Sequence, residues 1–329
     1  MAPSDARHSL IRASNSGSDP KLMSFEFFLE NVSDPSGHLS AVDFYEVSDL
    51  SPEELGQFAS AWYPLPIERQ RTIASSMVEL AEDNPELDFT AIFKMCLKGD
   101  DEPLLEIAMD GLWEHEDRSV IPGLLEILRS QKGSQVRSAA ASALGRFPIL
   151  AQEGKLLARD SETIQDNLMQ VMEDDEEPVD VRRRCMEAIA PFNTMEINQH
   201  ITLAYESLDP DFRASSIFAM GRTGEHGWLP ILIQELQNED PTIRYETAHA
   251  CGELGEEDAV PHLILLLEDD DSEVQLAGVS ALGKIGGPLA KKVLTSLAKD
   301  GDANLEEAAR MELQDLEFDE DPKGFLGDL

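Results

Sequence analysis

A 31-residue period runs through the second half of the chain and restricts its fold more than any other feature of the sequence. The pairs Val181-Arg182, Phe212-Arg213, Ile243-Arg244, Val274-Gln275 and Leu305-Glu306 stand at steps of 31 between their second members. Val136-Arg137 begins the series after one longer step of 45, and weaker copies stand at Leu104-Leu105 and near Arg71. The long step holds an extra segment, roughly 148–163. A fixed period of this length means stacked supersecondary units, each covering the apolar side of the next.

Other columns keep the same register. Three residues after the pair's second member stand Ala140, Cys185, Ser216, Thr247, Gly278 and Ala309; six after it, Ala143, Ala188, Ala219, Ala250, Ala281 and Glu312. Gly145, Ala190, Gly221, Gly252, Gly283 and Gln314 follow at the eighth place. Small residues at helical spacing let helices approach closely, and the glycines are expected to end or loosen each helix. An amphipathic segment precedes each of these helices, over 120–128, 164–172, 201–207, 229–236, 260–267 and 289–297. Each unit is therefore helix, turn, helix. Asp209-Pro210 and Asp240-Pro241 supply an N-cap carboxylate and a favoured proline. Both aspartates precede their arginine by four residues, a separation that permits an ion pair on one helix. On this reading the arginine ladder is structural rather than an anion-binding stripe.

Upstream, Ser51-Pro52-Glu53-Glu54 marks a helix start, with Pro64 and Pro66 as its stop and a second helix from Ile67 to Glu82. Residues 1–40 are expected to form a poorly ordered leader, rich in Ser, Asn, Gly, Asp and Pro. Its patch Phe25-Glu26-Phe27-Phe28-Leu29 is a candidate cap for the first repeats. The expected layout is a 1–40 leader, a 41–100 helical cap with degenerate repeats, a 101–316 array and a 317–329 acidic tail. That tail is read as a frayed end, with docking as the alternative.

The net charge of −39 repels nucleic-acid phosphate and anionic lipid, so neither nucleic acid nor a membrane is expected as a partner. Solvated helix faces account for most of these carboxylates, and attraction to a basic partner is the sharper alternative. The three cysteines, Cys96, Cys185 and Cys251, have no metal-ligand spacing. No apolar stretch of signal-peptide or membrane-spanning length occurs, and a cytoplasmic location is expected.

Asp240-Pro241-Thr242-Ile243-Arg244 followed by Ala248, Ala250 and Gly252 resembles the HEAT-like repeat of phycobilisome lyase subunits, as do Val274–Gly283 and Val136–Gly145. The resemblance covers about residues 100–316. It implies an all-α solenoid, a right-handed superhelix of six or seven stacked HEAT-like helix pairs, and mostly scaffolding work. One enzymatic branch, deoxyhypusine hydroxylase, places His-Glu pairs just after the Val-Arg pair to bind two irons. The matching positions here are Ser138-Ala139, Arg183-Arg184, Ala214-Ser215, Tyr245-Glu246, Leu276-Ala277 and Glu307-Ala308, none with histidine. An accessory role in a bilin lyase-like modifying system stays as the alternative function.

No phosphate loop, nucleophile elbow or Ser/His/Asp arrangement occurs, and His115, His226 and His262 read as connector or rim histidines. No cofactor and no catalytic residue is expected. With the small residues turned into the stack, positions one, five and nine after each pair share another helix face. That face carries Arg146, Arg183, Phe218, Arg222, Tyr245, His249 and Lys284, aromatics and cations gathered on an otherwise acidic protein. Aromatics and arginine are common interface anchors, so these seven are the candidate residues for a protein partner.

Overall fold

A computed structural model describes residues 25–34, 37, 39–113 and 115–320. The described residues form helices and turns and no strand. Two compact units divide at Leu112 and Trp113.

In the first unit a run of aromatic rings builds the core. Helix α1 (Phe25–Ser33) precedes a 3₁₀ turn (Ala41–Val47), α2 (Pro52–Trp62), α3 (Ile67–Asp83), α4 (Thr90–Cys96) and α5 (Glu102–Asp110). Phe28 of α1 meets Phe44 edge-on at 5.9 Å and Phe58 at 6.4 Å, and Phe58 stacks on Trp62 at 5.4 Å. Each such pair adds about 1 kcal/mol to the area it buries. The 1–40 segment is therefore not a featureless leader over 25–33. Phe28 and Val32 are buried, and Arg69 donates to the carbonyls of Asn31, Val32 and Gly37 at 2.9–3.0 Å, closing the C-terminal end of α1. Residues 1–24 lie outside the described set. Ser51 and Glu54 form the expected capping box on α2. Arg71, the weak forerunner of the arginine ladder, holds Asp101 through both carboxylate oxygens, and Asp101 in turn caps α5. Helix α5, expected at the head of the array, belongs to this unit.

The second unit is a stack of six helix pairs: α6 (Ile121–Leu128) with α7 (Ser134–Leu144), α9 (Ala158–Glu173) with α10 (Val179–Ile189), α11 (Met195–Tyr205) with α12 (Pro210–Arg222), α13 (Leu229–Glu235) with α14 (Pro241–Leu254), α15 (Val260–Leu263) with α16 (Ser272–Ile285), and α17 (Gly287–Asp300) with α18 (Ala303–Glu320). The extra segment folds as a short helix, α8 (Phe147–Gln152), and the start of α9. Second helices pack in sequence, α7 on α10, α10 on α12, α12 on α14, α14 on α16 and α16 on α18. Leu144, Ile189, Met220, Cys251 and Leu282 occupy one column and are fully buried. Each such side chain contributes about 2 kcal/mol by leaving water. The buried hydroxyls of Ser216 and Thr247 are satisfied by the carbonyls of Arg213 and Ile243, both at 2.6 Å.

The expected helix over 260–267 is α-helical only to Leu263 and continues as a 3₁₀ turn, Ile264–Glu268. Val260, Leu263 and Leu266 are buried while Leu265 is 65% exposed, so the apolar residues recur every third place and favour the tighter turn.

Gly145 ends α7 as expected, whereas Gly221, Gly252 and Gly283 lie inside their helices and serve close approach. A Cβ on Gly221 would lie 2.6 Å from Cα of Ala250, and one on Gly252 would lie 3.1 Å from Cα of Ala281. The glycine of one unit thus receives the alanine of the next. Chain reversal falls instead to Gly224, Gly255 and Gly286, whose φ angles are +65° to +74°.

The arginine ladder is tied into the stack, though not by the aspartates four residues upstream. Asp209 and Asp240 accept from the first backbone N–H groups of their own helices. Arg244 grips Asp269 of the following repeat, Nε and Nη2 each at 2.7 Å from one carboxylate oxygen, and also donates to the carbonyl of Asn238. Arg137 does likewise with Glu177 and the Leu128 carbonyl, both at 2.7 Å. Arg213 reaches Glu235 at 2.9 Å, while Arg182 is held by Met172 and Asp175 of its own repeat and lies 5.5 Å over the Phe212 ring of the next. For Arg137, Arg182 and Arg244 the free carbonyls near the end of the first helix offer acceptors, whereas the capping aspartates are already engaged.

Candidate functional site

Four successive second helices, α10, α12, α14 and α16, enclose a cleft of about 360 Å³. Six of the seven candidate residues line it: Arg183, Phe218, Arg222, Tyr245, His249 and Lys284. They converge because equivalent positions in a helical stack lie side by side, one from each repeat. Arg146 is not among the lining residues. It donates from Nη1 to the Trp113 carbonyl at 2.5 Å and lies over the Phe147 ring at 4.9 Å. Its repeat precedes the inserted helix α8, and burial lowers its guanidinium to about 10, with Glu116 opposing.

Sequence spacing passes over Arg184, Ser215 and Glu246, which also line the cleft. They stand two residues after the pair's second member. A step of two from there to five is an i, i+3 neighbour, so the face is one residue wider than the one-five-nine stripe.

Most charges in the cleft are arranged in pairs, and among the described residues Arg222 and Glu246 are left without an ion pair. Glu187, 8% exposed, accepts from Arg184 and from the Ser215 hydroxyl, both at 2.5 Å. Arg183 pairs with Asp180 at 3.0 Å and Lys284 with Glu253 at 2.5 Å. Arg222 has no described carboxylate in ion-pair reach. Its Nη2 donates to the Gly145 carbonyl two repeats back at 3.2 Å, its guanidinium stands 5.7 Å over the Phe218 ring, and its buried Nε has no acceptor. Burial pushes Arg222 below its ordinary range, with Glu253 and Glu187 pulling the other way.

Tyr245 and His249 pack edge to face at 4.6 Å. Burial and then the Lys284 charge hold His249 below the usual imidazole value, with Glu253 opposing. The Glu246 carboxyl is raised by burial and by Glu187, while Arg184 and Arg183 oppose. Such a lining presents ring faces, hydrogen-bond donors and both signs of charge to an occupant. Among the described residues no group of three or more His, Cys, Asp and Glu stands placed to hold a metal ion, and no helix is long and apolar enough to cross a membrane.

Fold and site together define an α-solenoid with a cleft on its second helices. Residues 198–277 and 229–314 match the family of HEAT repeats. Three solved structures are similar to the chain at low identity. Human deoxyhypusine hydroxylase is 18% identical, covering 88% of this chain and 94% of its own, with a TM-score of 0.34. The CpcE–CpcF complex of phycocyanin lyase from Nostoc is 20% identical over 57% of this chain and 74% of its own, at 0.40. A designed armadillo repeat protein is 17% identical over 59% and 98%, at 0.35. No curated protein matches the chain.

Proposed function

We propose that this chain is a protein-interaction scaffold that docks a partner in the cleft between α10, α12, α14 and α16. The observation that carries the reading is the convergence of Arg183, Phe218, Arg222, Tyr245, His249 and Lys284 from four repeats. Two kinds of interface anchor, aromatic rings and guanidinium groups, stand there around a concavity rather than scattered over the surface. Repeat arrays present such surfaces on rigid helices, so the side chains need little reordering on binding.

A photo-crosslinking residue placed at position 218, with the same probe at the exposed Leu203 as control, tests this in extracts of the native host. A protein joined at 218, absent at 203, and lost when Tyr245 and His249 are both replaced by alanine supports the scaffold. Equal capture at both positions overturns it. Visible absorbance co-purifying with the chain favours instead an accessory role in a tetrapyrrole-modifying system.

A further inference from the structure

We infer that Arg222 is a strap across the second helices: by reaching from α12 to the end of α7 it bends the row over α10 and sets the width of the cleft. The consequence for docking rests on the cleft being the docking site; the strap itself does not. Arg222 Nη2 donates to the Gly145 carbonyl at 3.2 Å, a contact between residues 77 positions apart. Helices in direct contact stand about 8–10 Å apart, so α7 and α12, with α10 between them, would be separated by roughly 16–20 Å in a straight row. An extended arginine and its hydrogen bond together span only about 10 Å from Cα. The C-terminal ends of α7 and α12 are therefore drawn together on the side of the cleft.

The repeat explains why this contact skips a unit. Arg222 stands nine places after the second member of its pair, as do Arg146 and Pro191. Arg146 takes the ordinary step back by one unit, to the carbonyl of Trp113 at the eighth place of the copy that begins at Leu104-Leu105. The corresponding acceptor for Arg222 is the Ala190 carbonyl, which already receives the Asn193 N–H at 3.0 Å in the tight turn after α10. Pro191 has no side-chain donor, and its own carbonyl is taken by Gln152 of the inserted helix α8. Arg222 accordingly passes over that unit and takes the eighth-place carbonyl of the one before. Phe218, one turn back on α12, steadies the guanidinium 5.7 Å above its ring. The buried Nε meets no acceptor on the way, so the strap is fastened at the Gly145 carbonyl.

The test measures distances in the full chain. Nitroxide labels go on cysteines introduced at the exposed Ser142 and Asp258, one on each side of the strap, and in a second sample at Asp258 and the exposed Ser296. The native Cys96, Cys185 and Cys251 are buried. Pulsed electron–electron resonance is recorded with Arg222 intact and in Arg222→Met, which keeps an unbranched apolar stem against Phe218 and removes the donors. The 142–258 distance is expected to lengthen and its distribution to broaden, by less than the roughly 6–10 Å between the strap's span and a straight row. Arg222→Lys, which keeps a donor, is expected to fall in between, and the 258–296 distance to stay unchanged. An unchanged 142–258 distance in Arg222→Met overturns the proposal. So does an equal change in both distances, which marks a general loosening of the stack rather than release at one joint. No partner enters the measurement, so a failed strap leaves the crosslinking result standing, and a failed crosslink leaves the strap standing.

Discussion

Gly221 is the tightest of the glycine contacts between repeats that fall on backbone, because the atom opposite it is a Cα that no rotamer change can move aside. Gly221→Ala is expected to cost about 1–3 kcal/mol, read as a lower denaturation midpoint, whereas an alanine at the open Gly56 inside α2 is expected to stabilise by about 0.5 kcal/mol, because it removes freedom from the unfolded chain. Glu246 gives a pH signature. Its folded-state value is raised above that of the unfolded chain, so its contribution is fully present below the unfolded value and is lost as pH rises through the folded one. Glu246→Gln does not titrate. The variant is therefore expected to melt higher than the unaltered protein at about pH 7, with the difference closing towards about pH 4. Thermal unfolding at the two pH values checks the sign. Neither effect is visible in the sequence. A repeated glycine shows that a small residue is required without saying that the need comes from the next repeat. The neighbours of Glu246 that raise and lower its affinity for protons include Glu187, Arg184 and Arg183, all from an earlier helix.

Helices with strong end signals are legible in the sequence alone: Ser51-Pro52 opens α2, and the Asp-Pro steps open α12 and α14. Where the signal is only apolar spacing, boundaries drift. The segment after Leu263 tightens to 3₁₀, and the extra residues near 150 form a separate short helix that no period announces. Helix α1 is hidden for a different reason: its neighbours are polar and turn-rich, so composition argues for disorder while Phe28 and Val32 bury themselves through contacts made elsewhere in the chain. Phe28→Ala removes a fully buried ring that touches Phe44 and Phe58 and is expected to cost the first unit about 3 kcal/mol. Faster limited proteolysis between α1 and α2 is the measurement, and an unchanged cleavage rate counts against α1 as part of that core.

Taken as a whole, the chain couples an ordinary helical stack to an extreme charge. The stack is readable because its period is regular, and the cleft is readable in outline because equivalent positions of a stack must adjoin. Its acids are not, since pairing depends on side chains reaching between helices. Self-repulsion of a net charge of −39 opposes compaction, so raising salt from about 0.05 to 0.5 M is expected to raise the melting temperature. A flat or falling response shows that local pairs such as Arg244–Asp269 govern stability instead.

Gly221 and Gly252 are sockets, and Ala250 and Ala281 are the plugs that enter them. A unit of this kind has polarity: the socket of one copy faces the plug of the next, so extra copies can be added only head to tail. At the last joint the plug is Glu312, whose side chain lies over Gly283. Its carboxyl is raised by burial, with the Ser280 hydrogen bond opposing. A bulky, ionisable plug marks where the row changes character, and anyone grafting a consensus unit after it would need to begin at Gln314, which stands where earlier units carry the socket glycine.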